Sequence, residues 1–207
     1  MTPTQVPALL TLGHGTAEQQ TIVDLLQGAD VRHLVDVRRF PGSRRHPHVS
    51  SDALARWLPD AGVAYRWEPR LGGRRRLAVG TASEGERVTG EAERATSEVG
   101  TVEADRPRDT WWQVEAFRAY AAHTRTAEFA AALAQVLDEA ARVRTVVLCS
   151  ETVWWRCHRR LIADVATLLH GRAVLHLAHD GRLTPHTSAA GARVTPGGLV
   201  YDLPQEA

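Results

Sequence analysis

The chain contains no lysine; all 25 of its basic side chains are arginine. Codon bias toward arginine, alanine, glycine and valine accounts for most of this, but the chemical consequence is firm. Schiff-base chemistry through a side-chain amine and a Walker-type phosphate lysine are both excluded. Cysteine is also scarce, with two in 207 residues, which excludes a secreted disulfide scaffold and predicts that Cys149 and Cys157 are thiols. No run approaches the ~18 consecutive apolar residues of a membrane-spanning helix. The N-terminal residues show neither a basic region nor an apolar core, so no signal peptide is expected and a cytoplasmic home is. A net charge of +1 leaves no global nucleic-acid signature, so any anion site must be local.

Hydrophobic periodicity supplies the architecture. Ala8 to Leu12 reads as a first strand, broken by Gly13-His14-Gly15. Thr16 with Gln19 reads as a capping box opening a helix through Ile22, Leu25 and Leu26 that ends at Gly28. Val31 to Val37 reads as a second strand, apolar around Asp36. Ser50 or Ser51 caps a short helix stopped by Pro59 and Gly62, and Val63 to Trp67 is a third strand. Helical patterns follow through Val114, Phe117 and Tyr120, and again from Thr126 through Phe129, Leu133 and Val136. Thr145 to Cys149 and Ala173 to Leu177 are strands separated by a helix carrying Leu161, Ile162 and Val165. Strands alternating with helices predict a single α/β domain over 1–207. It would have three layers, a mainly parallel sheet with helices on both faces, Rossmann-like. Residues 78 to 108 hold seven acidic residues and four arginines and almost nothing large and apolar. That segment reads as a flexible acidic insertion.

In such a sheet ligands bind outside the carboxyl ends of the strands. Three polar clusters fall there: Gly13 to Thr16, Asp36 to Arg45, and Cys149 to Arg160. The second carries four arginines. Arg38 and Arg44, with Ser43, are candidates to bind an anion, and Arg39 and Arg45 read as a solvated face. Asp36 is either a structural ion-pair partner of Arg38 or an acid/base group. In the third cluster Cys157 stands at a helix start beside arginines, where a thiolate nucleophile is plausible; the bland alternative is a small packing residue. Arg159 adds to the anion site. Glu151, His158 and His14 are candidates for proton transfer, and Trp154 and Trp155 for stacking on a base. Cys149, Cys157, His158 and His14 could supply zinc-type ligands, but their spacing matches no standard pattern, so neither a metal nor another cofactor is expected. The loop does not fit a phosphatase or rhodanese pattern, since Arg156 lies one residue too far from Cys149.

Thr11-Leu12-Gly13-His14-Gly15, Val35-Asp36-Val37-Arg38-Arg39-Phe40-Pro41-Gly42-Ser43, Leu71-Gly72-Gly73-Arg74, Phe117-Arg118-Ala119-Tyr120, and Cys149-Ser150-Glu151 with Cys157-His158-Arg159-Arg160 together resemble the DUF488 family. The resemblance runs in order from about residue 9 to about residue 205, interrupted by the insertion. It implies a single α/β domain of bacterial or archaeal type with no settled activity. It marks His14, Asp36, Arg38, Pro41, Ser43, Glu151, Cys157, His158 and Arg159 as motif positions. Ser150 and Trp154-Trp155 depart from the family, which more often shows alanine and a proline-containing loop. The leading expectation is a hydrolase or group transferase for a phosphate-bearing ligand, such as a nucleotide or damaged nucleic acid, with an N-glycosidic bond as one version. The alternatives are a non-catalytic nucleotide or nucleic-acid binding module, and a thiol redox or sulfur-transfer protein using Cys157. The expected partner is a small anionic or nucleotide-like ligand, DNA or RNA in some versions, and no membrane; the oligomeric state stays open.

Overall fold

The structure is a computed structural model that describes residues 7–42, 44–75 and 108–202. Ser43 and residues 78–107 of the predicted insertion lie outside the described residues. A six-stranded sheet runs through the molecule in the order β3-β2-β4-β1-β5-β6. Its members are β1 (Leu9–Gly13), β2 (His33–Asp36), β3 (Ala64–Trp67), β4 (Thr145–Cys149), β5 (Val174–Leu177) and β6 (Leu183–Pro185). The first five are mutually parallel, and β6 is antiparallel to β5. The α/β architecture expected from the sequence is therefore present.

Alternation along the strands builds two cores. Leu9, Val35, Val147 and Val174 point to one face, where they pack with Phe129, Leu133, Val136, Leu161 and Ile162. Those partners lie on α4 (Ala127–Arg142) and α5 (Arg159–Leu168), flanked by α3 (Glu115–Thr124). Leu10, Leu12, Leu34, Val146 and Leu148 point to the other face. They meet Ile22, Leu25 and Leu26 of α1 (Gln19–Gly28) and Leu54 of α2 (Ser51–Trp57). Fully burying one such side chain contributes about 1.5–3 kcal/mol. Helices thus cover both faces, as a parallel sheet requires.

Two caps act as read from the sequence. The Ser50 hydroxyl accepts from the Ala53 N–H at 3.3 Å, and the Thr126 hydroxyl accepts from the Phe129 N–H at 3.2 Å. The capping box at Thr16 does not form. The Ala17 N–H donates instead to the His14 carbonyl at 2.9 Å, and α1 starts at Gln19 with Glu18 before it. The tail contributes a hairpin of β7 (Ala192–Thr195) and β8 (Gly198–Tyr201), and β8 carries the apolar patch at Leu199 to Tyr201.

A buried polar chain ties this tail to the sheet. The Thr11 hydroxyl lies 2.7 Å from His176 Nδ1, His176 Nε2 lies 3.0 Å from His186 Nδ1, and His186 Nε2 lies 2.8 Å from the Asp164 carboxylate. Tyr201 donates to the same carboxylate at 3.1 Å. One set of tautomers satisfies every atom: His186 donates to Asp164, His176 donates to His186, and Thr11 donates to His176. That set needs His176 neutral. Burial, then the neighbouring His186 and Arg159, push its pKa down to about 3. His14, also buried, is pushed down to about 4, by burial first and Arg38 second.

A histidine whose folded pKa lies below its unfolded value stabilises fully above the unfolded pKa, near 6.5, and loses that contribution as pH falls toward the folded value. Stability to urea is therefore expected to drop by roughly 2–3 kcal/mol for each of these two histidines between pH 7.5 and pH 4.5. His176→Gln should flatten that dependence, and an unchanged slope would contradict the neutral chain.

Candidate functional site

The carboxyl ends of β1, β2 and β4 bring the three polar clusters together. Neighbouring strands hand over through the backbone there: the His14 N–H donates to the Cys149 carbonyl at 2.9 Å, the Gly15 N–H to Ser150 at 2.9 Å, and the Val37 N–H to Leu148 at 3.0 Å. Gly13 is required by this crossing, because a Cβ on it would overlap the Glu151 carbonyl oxygen. A cavity of about 350 Å³ opens at this edge. Among its lining residues are Arg39, Arg74, Arg156, Glu151, Cys149, Cys157 and His158, with Phe40, Phe117 and Tyr120 as apolar wall.

The floor of the cavity is a sulfur–imidazole cluster. Cys149 ends β4 and Cys157 precedes α5, and both thiols are buried. His158 Nδ1 lies 3.6 Å from the Cys157 sulfur and 3.7 Å from the Cys149 sulfur. The far side of the ring, Nε2, donates to the Val37 carbonyl at 3.3 Å and leaves Nδ1 to face the sulfurs. Arg159 Nε donates to the Cys157 sulfur at 3.4 Å. Burial alone pushes the Cys157 thiol up. The hydrogen bond from Cys149, the His158 imidazole and the Arg159 guanidinium outweigh it and hold Cys157 well below the usual thiol range. Cys149 is pushed well up, first by donating to Cys157 and then by burial. These three side chains could hold a metal, their ligand atoms all lying within 4.8 Å of one another.

The arginines expected to bind an anion are mostly occupied inside the protein. A guanidinium has five N–H donors. Arg38 spends Nε and Nη2 on the Asp36 carboxylate, at 2.8 and 2.5 Å, gives another Nη2 hydrogen to the Val49 carbonyl, and turns Nη1 to His14 Nε2 at 3.3 Å. One N–H remains. Arg159 is almost fully buried and donates to the carbonyls of Glu151 and Thr152 as well as to Cys157. It supports the loop and the thiol from behind and does not line the cavity. Arg44 is exposed and also stands off the lining.

Arg39, Arg74 and Arg156 are the guanidinium groups on the lining that have no carboxylate partner among the described residues. Arg39, read from the sequence as a solvated face, is one of them. Arg74 sits at φ 58°, in the left-handed region, where a non-glycine residue carries backbone strain. Sequence reading missed Arg74 and gave Arg156 no anion role, because pairing is decided by tertiary neighbours. The doubled glycine before Arg74 was the available signal. A Cβ at Gly72 would come 2.8 Å from the Arg39 backbone, and one at Gly73 would come 2.8 Å from His158 Nδ1.

The carboxylates divide in the same way. Asp36 is fully buried and accepts from Arg38 and, at 3.2 Å, from the Tyr65 hydroxyl. The structural ion-pair reading holds for it, and no oxygen is left for proton transfer at the cavity. Glu151 is exposed on the cavity lining, and its carboxylate has no partner among the described residues. His14 is buried beside Arg38, donating Nδ1–H to the Gly15 carbonyl at 3.0 Å, and does not reach the lining. Trp154 has one face taken, stacked on His176 at 4.0 Å with an 8° interplanar angle, and lies off the cavity lining. Trp155 is exposed but lies off the cavity lining.

The family model of a domain of unknown function, DUF488, matches residues 18–95 and 94–166, well over half of the chain. No curated protein and no solved structure matches.

Proposed function

Since the chain belongs to the DUF488 family, whose description assigns no reaction, we propose its function from the cavity: an enzyme of the hydrolase or group-transfer type acting on a small phosphate-bearing ligand. The observation that carries this reading is one juxtaposition. Three guanidinium groups without a carboxylate partner among the described residues, and one carboxylate likewise unpartnered there, stand on the wall of a cavity floored by two thiols and an imidazole. Arg39, Arg74 and Arg156 hold the anion, since guanidinium forks match phosphate oxygens. Glu151 carries the proton. The reacting centre lies over Cys149, Cys157 and His158.

Size and lining narrow the ligand. A volume of about 350 Å³ sits near the lower end of the roughly 300–1,000 Å³ of small-molecule pockets. Phe40, Phe117 and Tyr120 favour a ligand with an apolar or aromatic body over a bare phosphate ion. A nucleoside monophosphate fits both requirements.

The test is thermal stability and equilibrium binding with inorganic phosphate, ribose 5-phosphate and AMP at fixed salt. AMP is expected to bind saturably and to stabilise the fold in proportion to the logarithm of its concentration, by about 2.7 kcal/mol at a hundred times its dissociation constant. Arg39→Ala, Arg74→Ala and Arg156→Ala are each expected to weaken binding by roughly tenfold to a hundredfold, the worth of a charged hydrogen bond. Arg44→Ala should leave it unchanged. Absence of any shift, or equal binding by all four variants, would overturn the reading. A steep salt dependence on DNA or RNA with no small-ligand shift would replace it with nucleic-acid binding.

A further inference from the structure

We propose that Cys149, Cys157 and His158 form a binding site for a soft divalent transition-metal ion, Zn²⁺ foremost, with one coordination position open to the cavity. The metal site stands on its own geometry; the use of its open position rests on the reading of the cavity as a substrate site.

Donor type is the first argument. Two thiolates and an imidazole suit zinc and disfavour magnesium or calcium, which take oxygen ligands. Geometry is the second. Tetrahedral zinc with Zn–S near 2.3 Å and Zn–N near 2.05 Å needs sulfur and nitrogen about 3.5 Å apart. The two sulfur–nitrogen separations here are 3.6 and 3.7 Å, and the sulfurs lie within 4.8 Å of each other. Little rearrangement is required to bring all three onto one ion.

The surroundings are the third argument. A zinc-bound imidazole usually donates its other N–H to a carbonyl or carboxylate. His158 does this toward Val37, so Nδ1 is the nitrogen aimed at the sulfurs and the one that would bind the ion. Arg159 Nε donates to the Cys157 sulfur, which supports a thiolate there. Gly73 lets the neighbouring chain lie against His158 and hold the ring in place. Binding requires both sulfurs as thiolates, and the incoming cation drives off the proton that Cys149 donates to Cys157.

The three-ligand count points to the role. Structural zinc sites have four protein ligands, whereas catalytic sites keep a position for water or substrate. All three ligand residues line the cavity, so the fourth position faces the space bounded by Arg39, Arg74, Arg156 and Glu151. The substrate class is then a phosphate-bearing molecule, and a metal held by these three residues would supply Lewis-acid chemistry at its open position. The sequence offers these three residues, with His14, as zinc-type ligands, but their spacing matches no standard pattern, because two are adjacent residues and the third is on another element.

The experiment uses the full chain, reduced and stripped of metal by a chelator, titrated with Co²⁺ and then Zn²⁺. The proposal expects one Co²⁺ per chain with thiolate-to-cobalt charge-transfer absorption, displaced by one equivalent of Zn²⁺. Zinc should protect both thiols from a thiol reagent. Cys157→Ser and His158→Gln should each weaken Zn²⁺ by more than about a hundredfold, since each removes one of only three ligands. If Cys157→Ser does not fold, the wild-type spectrum and His158→Gln decide. A wild-type protein without the charge-transfer band, or thiols equally reactive with and without Zn²⁺, overturns the metal site even if AMP still binds. Failure of AMP binding with an intact cobalt spectrum overturns only the substrate reading.

Discussion

Replacing Asp36 with alanine is expected to destabilise the protein by about 3–5 kcal/mol, the cost of leaving half of a buried ion pair uncompensated. Both partners are shielded, Asp36 at 0% and Arg38 at 5% exposure, so solvent cannot take over the missing role. The variant would leave Arg38 with the Val49 carbonyl and His14 alone, and Tyr65 without its acceptor. Asp36 also accepts from the Arg38 backbone N–H at 3.1 Å, so the turn after β2 loosens with it. That turn positions Arg39 and Phe40 on the cavity. Urea denaturation of Asp36→Ala against wild type measures the effect. A double variant, Asp36→Leu with Arg38→Met, should recover most of the loss, because removing both charges avoids the unpaired one. A single-variant loss below about 1 kcal/mol, the scale of an exposed pair, would show that the pair is not buried in solution.

The second large effect falls on Glu151. It is expected to carry the proton, so Glu151→Gln should lower turnover by about 10²–10⁴-fold, the usual worth of general acid–base catalysis. The amide keeps the shape and hydrogen-bonding reach but cannot exchange a proton. Binding of AMP should survive, because in the proposed site the arginines, not Glu151, hold the anion. Asp36→Asn acts through stability, while Glu151→Gln acts through rate at unchanged stability. Turnover of phosphate-bearing probes by the two variants, alongside their unfolding curves, separates these outcomes. Equal rates in Glu151→Gln and wild type would remove Glu151 from the chemistry.

Much of the frame could be read from the sequence because it rests on local physics. Short apolar runs located β1, β2, β4 and β5 to within two residues, and Ser50 and Thr126 capped their helices as hydroxyl side chains do. The meeting of the three clusters followed from the parallel sheet alone. What escaped was pairing. Arg38 and Arg39 are neighbours with the same chemistry and both line the cavity; Arg38 is tied to Asp36 and Arg39 has no carboxylate partner among the described residues, which only tertiary contact decides. Asp36 and Glu151 divide in the same way. Thr16 has a good capping side chain, yet the chain spends the turn from His14 to Ala17 crossing β4 and begins α1 later. The adjacency of Cys149 to Cys157 and His158 depends on the loop from 150 to 156 folding back, held by Arg159 at its carbonyls. No spacing rule encodes that.

A crystal of the full chain soaked with tungstate, a heavy phosphate mimic located by its anomalous signal, bears most directly on the cavity. The anion is expected within hydrogen-bonding distance of Arg39, Arg74 and Arg156, above the Cys157 sulfur. Tungstate bound only at outlying surface arginines such as Arg44 and Arg45, with the cavity filled by water, would contradict the assignment.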